Sequence, residues 1–283
     1  MLRLALPNKG RLSSSCLDLL QRAGLDLALT HERSLQAAIS DELQALFVRA
    51  QDIPKLVADG AADLGITGRD LVLEAECDVD VAMDLGFAPC RLSLAVRDES
   101  SIGHLDDLPQ HSRVATVFPR TTRRFFEDLG KEVTVVALSG AAEIAPHLGV
   151  ADMIVDLVSS GSTLKINGLK EVHVLHHSTA VLITRTDVKD SAAFKTFGTA
   201  VESVLHAADK RYLMANVPRD RLEEVRRVLP GISGPTIVDV LDSDRVVAAH
   251  AVVDRTRVYQ TIADLKALGA EGILVTRIER LMP

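Results

Sequence analysis

The sequence predicts an α/β protein in three parts, and three patterns along the chain predict it. Short apolar runs alternate with runs of helical period from Leu2 to Arg97, and the same alternation is repeated from about Ser100 to His177. An extended segment at Ala180–Arg185 then follows the second alternation, so that the chain crosses between two lobes twice. From Tyr212 onward the pattern changes to β-α-β twice over, the order of a ferredoxin-like split βαβ module. At 283 residues the chain is too long for one small core, which agrees with two or three units. The expected division is 1–90 with 178–210 as the first lobe, 91–177 as the second and 211–283 as the C-terminal module.

In the first lobe, Leu2–Leu6 reads as a buried strand. Leu12–Ala23 reads as an amphipathic helix with Leu12, Cys16, Leu19, Leu20 and Ala23 on one face. Between them, Asn8-Lys9-Gly10-Arg11 puts two cations beside a glycine at a strand's C-terminal end, the edge where open α/β sheets bind ligands. Ala45–Arg49 is a further strand and Asp52–Asp59 a helix. Gly65-Ile66-Thr67-Gly68 then repeats the strand-to-helix turn, with Gly68 opening a helix toward Leu73. Arg49 and the Gly65–Asp70 turn are expected at the same edge as Lys9. Val79–Asp84 and Arg91–Arg97 are extended, and the second of these enters the next lobe.

The second lobe reads as strand Arg113–Val117, helix Thr121–Leu129 and strand Val133–Leu138. A helical pattern at Ala141–Leu148 follows, then strand Asp152–Val158 and strand Glu171–Leu175. Ala180–Arg185 returns to the first lobe, where a helix from Ala192 to about Lys210 packs. Two α/β lobes joined by two crossings resemble a periplasmic-binding-protein-like architecture with its ligand in the cleft. The stretch with most chemical content is Ser159-Ser160-Gly161-Ser162-Thr163, which closes one strand just before a new apolar pattern. Such a turn exposes unpaired backbone N–H groups, hydroxyls add donors, and a helix start adds positive potential. Asp152 and Asp156 lie four apart and so share a face of the preceding strand. Anion donors with carboxylates nearby suit a ligand carrying a phosphate and sugar hydroxyls, such as a phosphorylated ribose. The same small residues also suit a plain turn with an N-cap, and neither a Walker A loop nor Gly-x-Gly-x-x-Gly is present. His173, His176 and His177 form the densest histidine group. A strand would put His173 with His177 and His176 opposite, and no carboxylate or cysteine completes a metal set.

In the C-terminal part, Tyr212–Val217 is a strand, Arg219–Val228 a helix and Thr236–Leu241 a strand. Val246–Val253, Arg255–Leu268 and Ile273–Ile278 repeat strand, helix and strand. Asp254 and Thr256 suit a helix start and Gly269 its end.

Composition sets further bounds. Aromatics are 3% of residues and Trp is absent, so cores are built from Leu, Val, Ala and Ile. A formal net charge of −7 argues against a general nucleic-acid or membrane-surface binder, while leaving room for a local phosphate site. Cys16, Cys77 and Cys90 have no metal-like spacing, which points to a reducing cytoplasm. Met1–Leu6 is too short for a signal h-region, and no apolar run approaches the ~20 residues that cross a bilayer.

The arrangement Glu143-x5-Gly149-x-Ala151-Asp152-x3-Asp156-x2-Ser159-Ser160-Gly161-x-Thr163-Leu164 resembles the signature of the ATP phosphoribosyltransferase family, the first step of histidine biosynthesis. The resemblance extends to Pro7-Asn8-Lys9-Gly10-Arg11, to Gly65-Ile66-Thr67-Gly68-Arg69-Asp70 and to the C-terminal segment, which places the chain with the long form. It implies transfer of the phosphoribosyl group of phosphoribosyl pyrophosphate to N1 of the adenine of ATP, with release of pyrophosphate. Asp152, Asp156 and Glu143 are then the catalytic carboxylates, and Ser159–Thr163 holds the 5′-phosphate. Lys9, Arg11 and Arg49, with the Gly65, Gly68 and Asp70 turn, serve ATP or pyrophosphate. Mg2+ screens the pyrophosphate, its protein ligands unknown. The C-terminal module is then a regulatory domain that binds histidine as inhibitor through Asn216, Thr236 and Gly272, in a homo-oligomer that forms both a dimer and a hexamer. Where the family usually shows Tyr-Pro, this chain has Phe118-Pro119, which removes a hydroxyl and leaves a stacking ring. The two-lobed fold also permits a receptor without chemistry, since fold does not decide function.

Overall fold

The structure, a computed structural model, describes residues 1–28, 34–241 and 243–283. In chain order it contains β1 (Leu2–Pro7), α1 (Gly10–Arg22), β2 (Gln36–Ser40), β3 (Leu43–Val48), α2 (Ile53–Ala58), β4 (Leu64–Gly68), α3 (Arg69–Ala75) and β5 (Asp80–Asp84). Next come β6 (Cys90–Arg97), β7 (Ser112–Thr116), α4 (Pro119–Asp128), β8 (Val133–Ala137), β9 (Met153–Val158), α5 (Ser162–Ile166), β10 (Leu169–Ser178) and β11 (Ala180–Thr184). The remainder is α6 (Ala192–Ala208), β12 (Lys210–Pro218), α7 (Leu222–Val228), β13 (Thr236–Asp239), β14 (Val246–Asp254), α8 (Val258–Ala267) and β15 (Glu271–Arg277).

Among the described residues the strands form three sheets, in the orders β2-β3-β1-β4-β11-β5, β10-β6-β9-β7-β8 and β13-β14-β12-β15. The first two are mixed: β1 runs parallel to β3 and β4, and β7 parallel to β8 and β9, while the strands next to the crossings run antiparallel. The third is antiparallel throughout, in the ferredoxin-like strand order. By compactness the chain divides into Met1–Asp18 with Leu27–Phe194, and Leu19–Asp26 with Lys195–Pro283. The first unit therefore holds both α/β lobes. The second holds the third sheet, most of α6 and the end of α1. The boundary expected from the sequence at 210/211 falls one residue inside β12, whereas compactness groups α6 with the C-terminal strands from Lys195 on.

Each sheet has its own core. On the first, Ile53 and Val57 of α2 pack against Ala5, Val181 and Ile183. On the second, Leu92, Leu94 and Phe126 build one face, while Ala95, Ile154, Val158 and Leu164 build the other. In the C-terminal unit, Leu213, Ala215 and Val217 alternate inward against Val225 and Leu265. Gly65 shows how tight the first lobe is. A Cβ there would collide with Ile53 Cγ2 and stand 3.1 Å from Val57 Cγ2. Gly65→Ala is therefore expected to cost about 1–3 kcal/mol by overpacking, read as a fall in Tm, and an unchanged Tm would refute this packing.

Several expectations are corrected. The helical pattern at 141–148 forms only a 3-10 turn, Ala142–Ile144, because Pro146 removes a backbone donor and Gly149 takes φ +63°. The short strand β2, absent from the sequence reading, adds an antiparallel edge to β3. The histidines of β10 also sit differently. Bulges between Glu171 and His173 and between Val174 and His176 pair His173 with Leu94 and His176 with Leu92. An extra residue reverses the alternation, so His173 and His176 share the face that packs on Phe125, and His177 lies opposite. His173 stacks on Phe125 with ring centroids 5.6 Å apart. Among the described residues no helix is long and apolar enough to cross a membrane.

Candidate functional site

The C-terminal ends of β1, β3 and β4 lie side by side, as the parallel pairing requires. The Asn8 amide donates to the Val48 carbonyl at 2.8 Å and the Thr67 hydroxyl to the Ala50 carbonyl at 2.8 Å, which aligns the turns that follow. Lys9, Gly10 and Arg11 are exposed on the first of these turns, with Gly10 at φ +83° opening α1. Arg49 is exposed just beyond β3. At the end of β4, Gly68 is buried where a Cβ would collide with the Asp70 carboxylate. Asp70 itself is buried, and Ser178 ties it down twice. The serine hydroxyl donates to Asp70 Oδ1 at 2.5 Å and accepts from the Asp70 amide at 3.0 Å.

Across from these turns stands the end of β9. The 159–161 turn carries its left-handed residue at Gly161, φ +80°. The Ser160 and Ser162 hydroxyls bond to each other at 2.8 Å, and Ser159–Thr163 lie at or near the surface. One bond joins the two lobes here: Arg11 Nη2 donates to Ser159 Oγ at 3.1 Å. A cleft of about 250 Å³ lies between, bounded by Lys9, Arg11 and Asp70 on one side, Leu157 and Ser159 on the other, and Cys90 and Ser178 at the crossings. Helix α5 is only five residues long. An anion at this turn would therefore meet the turn's own amides and hydroxyls rather than the expected helix dipole.

The carboxylates divide. Asp156 points to the same face of the sheet as Ala145 and Leu164, where burial, added to by the negative charge of Glu143, raises its pKa from 3.8 to about 6. The Leu157 amide, donating to Asp156 Oδ1 at 2.7 Å, acts against that rise. Glu143 is half-buried on the 3-10 turn that covers this face. Ser93 stands opposite Asp156 in the β6–β9 register with a buried hydroxyl that has no partner.

Asp152 is not brought to this group. It precedes β9 and binds Arg113 through the backbone amide at 2.8 Å and the guanidinium at 2.9 Å, which holds its pKa below the usual carboxylate range. At ~3.3 Å per strand residue it lies roughly 20 Å from Ser159. Gly65 is likewise a packing position behind the cleft. Phe118 is buried in the core of the second lobe, so its ring is not presented for stacking on a ligand. In the C-terminal unit, Asn216 pairs with Glu271, and a Cβ on Gly272 would stand 3.4 Å from Asn216 Nδ2. Thr236, on β13, opposes His250 of β14 and so lies two strands from β12. Asn216 and Gly272 are therefore together, and Thr236 is apart from them within the sheet.

Three residues at or beside the cleft escaped sequence reasoning. Arg91 bonds the Ser159 carbonyl, Ser178 holds Asp70, and Cys90 pairs with Ser178 in the β6–β10 ladder. The cue for all three was their position at the two crossings between lobes. Burial raises the Cys90 thiol pKa, and all three cysteines are free.

The family profile described as ATP phosphoribosyltransferase matches residues 49–204, and that of the HisG C-terminal domain matches 207–280. An ATP phosphoribosyltransferase from Gemmatimonas aurantiaca is 55% identical over 292 residues, covering 100% of both chains. One from Methanocaldococcus jannaschii is 43% identical, again over 100% of both. Among solved structures, the ATP phosphoribosyl transferase (HisG:HisZ) complex from Thermotoga maritima aligns with a TM-score of 0.64 and 28% identity, over 73% of this chain and 99% of that one. The ligand-binding core of GluR0 from Nostoc punctiforme, in complex with (L)-glutamate, aligns at 0.50 and 18%, over 74% and 94%, and shows the two-lobed fold.

Proposed function

The chain belongs to the ATP phosphoribosyltransferase family, and on that footing we propose how its cleft performs the reaction. The C1–oxygen bond of phosphoribosyl pyrophosphate breaks, a bond forms from C1 to N1 of the adenine of ATP, and pyrophosphate leaves. The observation that carries the reading is the Arg11–Ser159 bond, which sets a cation of the first lobe against the hydroxyl-rich turn of the second. The 5′-phosphate sits on the 159–163 turn. Asp156 and Glu143 accept hydrogen bonds from the ribose hydroxyls, and their negative charge favours the positive charge that develops at C1. Lys9, Arg11 and Arg49 face the polyanions. Asp152 supports the base of β9 through Arg113 instead of touching the sugar. Catalysis rests on positioning and electrostatics.

Among the described residues no group of three or more His, Cys, Asp or Glu side chains is placed to hold a metal ion. Mg2+ bound with the pyrophosphate would screen the leaving group's charge, while Lys9, Arg11 and Arg49 supply the protein's own countercharge. The 211–283 module is a histidine sensor. Asn216 and Gly272 supply one side of its site, and Thr236 supplies another where modules pack in a homo-oligomer. The three free cysteines suit a reducing cytoplasm.

Purified protein given ATP, phosphoribosyl pyrophosphate and Mg2+ is expected to release pyrophosphate with a shift in ultraviolet absorbance, and millimolar histidine to slow it. Absence of pyrophosphate across pH 6–9 would sink the cleft assignment; turnover indifferent to histidine would sink only the sensor.

A further inference from the structure

We propose that Arg91 is the positioning residue of the phosphate-binding turn: anchored by Glu171, its guanidinium holds the Ser159 carbonyl back and so presents the Ser160 N–H to the phosphate. The inference rests on the reading of 159–163 as that turn. Arg91 is the second residue of β6, just past the crossing, and pairs with Val158, the last residue of β9. Its Nη1 donates to the Ser159 carbonyl at 3.1 Å and its Nε to Glu171 Oε2 at 2.8 Å. Nη2 stands 4.0 Å from where a Gly161 side chain would begin, so the guanidinium lies close against the turn. Arg91 and Glu171 side chains are 27% and 28% exposed, so this is no freely solvated pair.

The geometry has a direct consequence. A trans peptide points its C=O and the following N–H in opposite directions. With the Ser159 carbonyl turned inward to Arg91, the Ser160 amide is turned away from it, to the open side of the turn. The planar guanidinium makes the two bonds at once from a fixed fork, which an ammonium point charge does not reproduce. It also adds positive potential behind the turn without occupying the ligand's place.

The test uses the full-length enzyme, with KM for each substrate, kcat and Tm measured on Arg91→Ala, Arg91→Lys and Glu171→Gln. Arg91→Ala is expected to raise KM for phosphoribosyl pyrophosphate about tenfold or more, with KM for ATP within about twofold of the parent value. Added guanidinium ion is expected to recover part of that loss, and lysine to recover little. Glu171→Gln, which keeps the guanidinium but frees it, is expected to raise the same KM severalfold, and it carries the test should Arg91→Ala not fold. Unchanged KM for phosphoribosyl pyrophosphate, an equal rise for ATP, or full activity with lysine would each overturn the proposal. In those cases the parent enzyme still turns over, whereas an inactive parent would overturn the cleft assignment itself.

Discussion

Asp156→Asn is expected to lower kcat by about a hundredfold or more while making the protein more stable at neutral pH. The loss follows from removing a fixed negative charge beside developing positive charge at C1, an electrostatic contribution of about 3 kcal/mol to the barrier. The gain follows from burial. The carboxyl's pKa is raised in the folded protein from 3.8 to about 6, so the native state holds its proton more tightly than the unfolded chain between those values. That stabilisation is fully present below about pH 4 and is lost as pH rises through about 6, at most ~3 kcal/mol. Asparagine has no charge to bury and escapes the loss. Thermal unfolding at pH 7.5 should place the variant above the parent, and the gap should close toward pH 4.5. A variant less stable at pH 7.5 would contradict the burial account. Activity reads the same group with opposite sign. The parent's kcat/KM for phosphoribosyl pyrophosphate should fall below about pH 6 with a one-proton slope as Asp156 is neutralised, and this limb should be missing from the asparagine variant.

Gly161→Val is expected to weaken binding of phosphoribosyl pyrophosphate by tens-fold or more with little change in Tm. The space around the glycine is open, the nearest side-chain atoms being Val158 Cγ1 at 3.9 Å and Arg91 Nη2 at 4.0 Å from an added Cβ. The difficulty lies in the backbone. At φ +80° a side chain costs roughly 1–2 kcal/mol, more for a β-branched one, and the turn relieves it by rotating its amides away from the phosphate. Each charged hydrogen bond lost is worth about 1.5–3 kcal/mol. Because the turn is near the surface, the core is untouched. Calorimetric titration with the substrate, beside a melting curve, measures both halves. An affinity equal to the parent's would place the phosphate elsewhere.

Much of this was legible in the chain because strand-to-helix turns announce themselves by composition. Lys9-Gly10-Arg11, Gly68 and Ser159–Thr163 are local signals, and the structure brings Lys9, Arg11, Gly68 and Ser159 to one cleft. The partner of Asp152 was not legible, because alternation along a strand gives a face but not a partner. Two carboxylates on one face can still be four residues apart, and a cross-strand arginine can claim one of them. The faces of the histidines were not legible for a related reason, since the bulge between Val174 and His176 reverses parity and bulges have no reliable mark in a single sequence. Arg91 and Ser178 were beyond local reasoning altogether. Their partners lie 68 or 108 residues away, and only the folded crossings bring them together.

The position of β11 in the first sheet sets an order of events during synthesis. β11 lies between β4 and β5, pairing with both, yet its residues, Ala180–Thr184, follow the whole second lobe in the chain. Until they emerge, β4 and β5 each present an open edge of unpaired amides and carbonyls, the kind of edge that recruits foreign strands. The second lobe, by contrast, is one continuous segment whose sheet is complete once β10 has formed. Its closure delivers β11 only one residue later, since β10 ends at Ser178 and β11 begins at Ala180. The inserted lobe therefore acts as the timer for the lobe that hosts it, and a chain arrested before residue 180 is left with its first sheet split in two.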